Sequence, residues 1–195
     1  MKKIIACLLG AIIIGTSLYF ISENSVPAEG QIPFDARNSS FRIGGVPVTL
    51  ADGVVVDELA SLPDVKITTR YFGNELAHDL DNDGREDTVF LVTQDGGGSG
   101  TFFYVVAVLN TVNGYVGSDS YLLGDRIAPQ PMNIDESKTS QGTMRDNVIV
   151  VNYADRRPED PMTAAPSVGK SVWLKLDPAI MQFGEVAQNF EGESR

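Results

Sequence analysis

Nine consecutive residues, Thr101-Phe102-Phe103-Tyr104-Val105-Val106-Ala107-Val108-Leu109, are apolar, aromatic or β-branched without polar alternation. In a strand, successive side chains point to opposite faces, so a run of this kind needs cover on both sides. A helix is disfavoured, because β-branched and aromatic side chains lose rotamer freedom against the preceding helical turn. The run therefore predicts a central strand over 101–110, buried front and back.

Further short runs rich in Val, Ile, Tyr and Phe predict strands near 46–50, 53–57, 65–72, 87–94, 120–123, 147–153 and 171–176, separated by Gly, Asn and Asp clusters. Ala51-Asp52-Gly53 predicts a tight hairpin between the first two, and Asn113-Gly114 marks another turn of the same chemistry. Beyond the N-terminus there is no sustained 3.6-residue stripe, although 58–60 and 178–181 could each form a turn of helix. The fold class expected is mainly β, a compact antiparallel sandwich or barrel over residues 41–192, preceded by one N-terminal transmembrane helix.

That helix is read from the almost unbroken apolar run Ile4–Ile21 behind Lys2 and Lys3. Eighteen residues at about 1.5 Å each reach about 27 Å, close to the thickness of a bilayer's hydrocarbon core. The flanking lysines place the rest of the chain outside the cytoplasm. Residues 1–22 are thus a signal anchor or, with Val26-Pro27-Ala28 as a cleavage region, a signal peptide. Residues 23–40, punctuated by Pro27, Gly30 and Pro33, read as a linker. Cys7 is the only cysteine, so the exported domain must fold without disulfides. The chain carries a net charge of −11; without Lys2 and Lys3 it holds 13 basic against 26 acidic residues. So anionic a surface argues against nucleic acid as a partner.

The densest chemistry lies in His78-Asp79-Leu80-Asp81-Asn82-Asp83-Gly84-Arg85-Glu86-Asp87. Asp79, Asp81 and Asp83 place an oxygen at every second position, Gly84 allows a sharp turn, the Arg85 carbonyl offers a backbone ligand, and Asp87 closes the set. Such spacing lets oxygens converge on one hard cation, and calcium suits many oxygens in flexible geometry better than magnesium does. The alternative is an Asx-type turn in which the side chains bond their own backbone. The segment resembles the D-x-D-x-D-G-x-x-D loop that joins two strands in FG-GAP and integrin-type repeats. It also resembles the first half of an EF-hand loop, but the twelfth position, where that loop needs a bidentate Glu, is Phe90. The motif occurs once, which does not support a propeller.

A wider similarity runs through 70–75, 96–102, 123–130 and 151–156, where the chain resembles a family of small, exported, uncharacterised bacterial envelope proteins. That resemblance brings no activity with it.

Other motifs give less. Gly96-Gly97-Gly98-Ser99-Gly100 lacks the lysine of a phosphate loop and reads as a hairpin connection. His78 is the sole histidine, which disfavours both zinc and a histidine-assisted hydrolase. Acidic pairs such as Glu75 and Asp79 leave a carboxylate-based hydrolase open. The proline-rich segment 154–169 is a long loop, solvated or facing a partner, and Trp173 reads as a core residue.

These features lead to a single-pass protein of the bacterial cell membrane, secreted if the leader is cut, with its C-terminal domain outside the cytoplasm. Its partners are a calcium ion, the membrane through the N-terminal helix, and a protein or glycan ligand left undefined. No catalytic residue is assigned. The functional expectation is a calcium-binding interaction module; the alternative is an envelope hydrolase acting on carbohydrate or peptide through acidic residues.

Overall fold

The computed structural model describes residues 33–59, 62–137 and 145–187. The N-terminal anchor or signal peptide expected over 1–22 lies outside them; among the described residues no helix is long and apolar enough to cross a membrane.

The described chain is mainly β, in antiparallel sheets. A hairpin of β1 (Ser40–Ile43) and β2 (Val46–Thr49) forms the first. The second contains β3 (Val54–Leu59), β4 (Leu62–His78), β5 (Asp87–Asp95), β6 (Phe102–Thr111) and β7 (Gly114–Gly117) in that order, with β8 (Tyr121–Asp125) also on β6. In the third, β10 (Asn133–Ile134), β11 (Val148–Asp155), β12 (Val168–Asp177) and β13 (Gln182–Glu185) follow one another, and β9 (Ala128–Pro129) joins β11.

The alternation of β5 and β6 explains how these layers stack. Val89, Leu91, Phe103, Val105, Ala107 and Leu109 face one way and pack with Ile149 and Val151 of β11 and Leu174 and Leu176 of β12. Phe90, Val92, Val106 and Val108 face the other way and pack with Phe41, Val48 and Leu50 of the β1–β2 layer. The two-sided cover predicted for 101–110 is therefore present, in keeping with a sandwich. Phe90 is fully buried, with the rings of Phe34, Phe41 and Tyr71 centred 6.4, 6.0 and 5.9 Å away. Burying a side chain of this size stabilises by about 1.5–3 kcal/mol, more than any exposed ion pair on the surface.

Several local expectations change. Asp52 and Gly53 do form a tight turn: both have positive φ (52° and 85°), and Ala51 and Val54 exchange backbone hydrogen bonds. The strands on either side part company, however, because β2 pairs with β1 and β3 pairs with β4. A turn motif fixes local backbone twist but not which partner each flanking strand finds. Residues 33–40, expected as linker, are already packed. Asp35 caps a short 3-10 turn at Ala36–Asn38, accepting from the Arg37 backbone N–H, and Ala36 and Ser39 are buried. The loop expected over 154–169 is narrower, since Ala154 pairs with Gly169 and Asp155 with Val168. Asp155 and Arg156 are anchored: Lys170 binds Asp155 at 2.7 Å, and the Arg156 guanidinium donates to the carbonyls of Asp125 and Arg126. Asp125 accepts from Arg126 and from the Thr101 backbone, which holds its carboxyl below the usual range.

The β1–β2 layer meets the central sheet at Gly117. The Arg42 N–H donates to the Ser118 carbonyl, and a Cβ at Gly117 would lie 1.9 Å from the Ser40 carbonyl oxygen and 2.8 Å from the Phe41 Cα. Backbone on both sides leaves no flexible atom to yield. Gly117→Ala is expected to destabilise by about 3 kcal/mol, lowering Tm by about 6–12 °C. Gly184→Ala, where nothing lies within 4 Å of the added methyl, is expected to stay within about 0.5 kcal/mol; paired thermal melts compare the two.

Candidate metal centre

Strand β4 ends at His78 and β5 begins at Asp87, and these two residues pair across the ladder. The acidic loop is thus the connection between neighbouring antiparallel strands. Asn82 (φ 62°) and Gly84 (φ 85°) take left-handed conformations, which Asn and Gly adopt most readily. The chain curls back on Asp79, whose carboxylate oxygens accept from the Asp83 N–H at 3.1 Å and the Gly84 N–H at 2.9 Å. Asp81 also accepts from the Asp83 N–H, at 3.2 Å.

Asp87 is the anchor of the loop. Only 1% of it is exposed, and its two oxygens accept from the backbone N–H groups of Leu80 and Asn110, both at 2.8 Å. The carboxylate therefore joins three places in the chain: the loop, the start of β5 and the end of β6. Burial pushes the Asp87 carboxyl above its ordinary value; the two N–H groups oppose this, and the charges of Asp81 and Asp79 add to it. Both unfavourable effects act on the ionised form, and a cation beside the group would offset them.

Of the four carboxylates expected to hold a metal, three come together. Asp79, Asp81 and Asp87 each offer an oxygen, and these oxygens lie within 4.8 Å of one another. Oxygens on a single calcium can be no more than about 5 Å apart, given bonds of 2.3–2.6 Å, so this acidic triad could hold a metal ion. Asp83 is placed differently. One of its oxygens accepts from the Arg85 backbone N–H at 2.9 Å, and the other pairs with the Arg85 guanidinium. That guanidinium also donates through Nε to the Asn110 carbonyl at 2.6 Å. Asp83 and Arg85 thus form a strut between the loop and the end of β6.

Residues distant in sequence support the loop from its other side. The Asn147 side chain donates to the Leu80 carbonyl at 2.9 Å and shares a hydrogen bond with His78 Nε2 at 3.1 Å. The Asn82 amide reaches Asp146 at 3.3 Å. None of these three contacts has a signal in the sequence, because each spans more than sixty residues. Glu75, weighed with Asp79 as an acid pair, accepts instead from the Tyr71 hydroxyl at 2.6 Å. Burial, together with that carboxylate, pushes the Tyr71 hydroxyl up to about 12. The Gly96–Gly100 run lies in the connection between β5 and β6, as expected of a hairpin loop.

No protein-family model matches the chain, and neither a curated protein nor a solved structure matches it closely enough to show kinship.

Two substitutions separate the structural weight of these acids. Asp87→Ala leaves two N–H groups without their acceptor beside a dry core, and is expected to cost about 2–4 kcal/mol even with a chelator present. Asp83→Ala, at an exposed ion pair, is expected to cost less than about 1 kcal/mol. Urea unfolding of both variants in chelator checks the order.

Proposed function

We propose that this chain is a membrane-tethered, extracytoplasmic calcium-binding β domain that serves as an interaction module for a protein or glycan. The observation that carries the proposal is the convergence of Asp79, Asp81 and Asp87 on one point, with Asp87 wholly buried. Three carboxylates at that spacing repel one another, and a divalent ion turns the repulsion into attraction. Calcium is favoured over magnesium because a loop supplying carboxylates with neighbouring carbonyls and water tolerates irregular, high-coordination geometry. The resemblance of 79–87 to the calcium loop of FG-GAP repeats supports the same ion.

The extracytoplasmic placement rests on Ile4–Ile21 behind Lys2 and Lys3, and it agrees with the affinity such a loop would have. Extracellular calcium modules bind at about 10⁻⁴–10⁻³ M, a range filled outside cells. Within this scheme the Asp83–Arg85 side-chain strut orients the loop, and direct ligation falls to the carboxylates of Asp79, Asp81 and Asp87 with the Arg85 carbonyl as a backbone ligand. The membership in an exported bacterial envelope family suggested by 70–75, 96–102, 123–130 and 151–156 is part of the same proposal.

Calorimetric titration of the full-length chain with calcium tests the assignment. Saturable binding is expected, with stabilisation of about 2.7 kcal/mol at a hundredfold excess over Kd. Asp81→Asn, which removes one charge from a half-buried ligand, is expected to weaken binding at least tenfold, while Asp83→Ala weakens it less. Absence of saturation in the millimolar range, or equal losses for the two variants, would contradict the ligand set.

A further inference from the structure

Away from the acidic loop, a cavity of about 280 Å³ opens where the 3-10 turn meets β1, β6 and β7. Its lining includes Phe34, Asp35, Asn38, Ser40, Val108 and Tyr115. Val108 is 2% exposed, so the floor belongs to the core beneath, and the Phe34 and Tyr115 rings lie 5.1 Å apart at one wall. The size falls near the lower end of small-molecule sites, about 300–1,000 Å³, which suits a small ligand or the terminal group of a larger one.

The polar groups of the lining favour one sign of charge. Asp35 receives the Arg37 backbone N–H on one oxygen and the Asn38 amide on the other, at 2.9 and 2.6 Å. A carboxylate has about four acceptor sites and Asp35 is exposed, so each oxygen keeps capacity for a further donor. Those two contacts, together with the nearby Arg37 charge, hold Asp35 below the usual carboxylate range. The Ser40 hydroxyl, in contact with Thr49 at 2.9 Å, adds a further acceptor. The lining includes no basic side chain. The nearby Arg37 guanidinium is directed to the Asp52 carbonyl at 3.5 Å and over the Tyr71 ring at 5.7 Å. Aromatic rings attract cations through their negative faces, so the rings and the carboxylate act in the same direction.

We propose that this cavity is a binding site for a protonated primary amine, with Asp35 and Ser40 accepting from the ammonium group and the Phe34 and Tyr115 rings packing against it. The Asp35 charge disfavours an anion there, and a purely apolar ligand leaves Asp35 and Ser40 without use. The site is separate from the Asp79–Asp87 loop and does not depend on calcium binding.

The test is an NMR titration of the full-length chain with butylammonium, following the backbone amides of Asn38, Ser39 and Ser40, with 1-butanol as the neutral isostere and N-acetylglucosamine as an uncharged polyol. Saturable shifts are expected for butylammonium alone, with Kd near 1 mM, which corresponds to about −4.1 kcal/mol. Asp35→Asn keeps a capping acceptor for the Arg37 N–H and is expected to weaken binding roughly tenfold or more, as charge is lost from the ring-lined site. Tyr115→Leu retains apolar volume without the ring and is expected to weaken binding severalfold, with folding verified by Tm. Equal shifts from 1-butanol or N-acetylglucosamine, unchanged affinity in Asp35→Asn, or no saturation overturns the proposal.

Discussion

The antiparallel pair of β5 and β6 is buried on both faces, and the rest of the described chain is arranged to keep it dry. One face is closed by β11 and β12, the other by the β1–β2 hairpin and the 3-10 turn before it. A pair enclosed in this way has its backbone hydrogen bonds satisfied internally, but its ends must emerge into polar surroundings. At the end beside the acidic loop that transition is made by Asp87. Its carboxylate takes up the N–H of Asn110, at the end of β6, and the N–H of Leu80 in the loop. The acid that closes the loop is thus also the terminus of the core.

This double role accounts for the character of the site. An ionised carboxylate at the rim of a dry core is disfavoured by desolvation, and two backbone donors relieve only part of that cost. Asp79 and Asp81 approach the same point and add like charge. Asn82, Gly84 and the N–H groups of Asp83 and Gly84 shape the path of the loop. What a cation alters is the energy of the charges, and through Asp87 that energy is coupled to the strand pair beneath.

Much of this was legible in the sequence, for identifiable reasons. Val89–Val92 and Phe103–Leu109 read as strands because two-sided burial leaves a continuous apolar signature. Asp79, Asp81 and Asp87 were recognisable because their spacing and their convergence share one cause, the curl of a short loop. The pairing of β1 with β2 was not legible: Ser40–Ile43 alternates too briefly to stand out, and the Gly44-Gly45 turn, with φ of 59° and 81°, lies outside the larger runs. The full length of β4 was obscured by register shifts between Tyr71 and Leu76, which break the two-residue period. The pairing of Asp83 with the Arg85 guanidinium two residues on has no signal in the spacing, which gives a side chain's position and not its competitor. The Asn147 support could not be found at all from one sequence, since its partner Leu80 is distant along the chain.

The most direct test of the account is a high-resolution crystal structure of the calcium-saturated protein. It should show a single ion with oxygens of Asp79, Asp81 and Asp87 at about 2.3–2.6 Å, Asp87 still receiving the Leu80 and Asn110 N–H groups, and Asp83 still on Arg85. Density for water alone among the three carboxylates, or an ion bound elsewhere with the triad splayed apart, would contradict it.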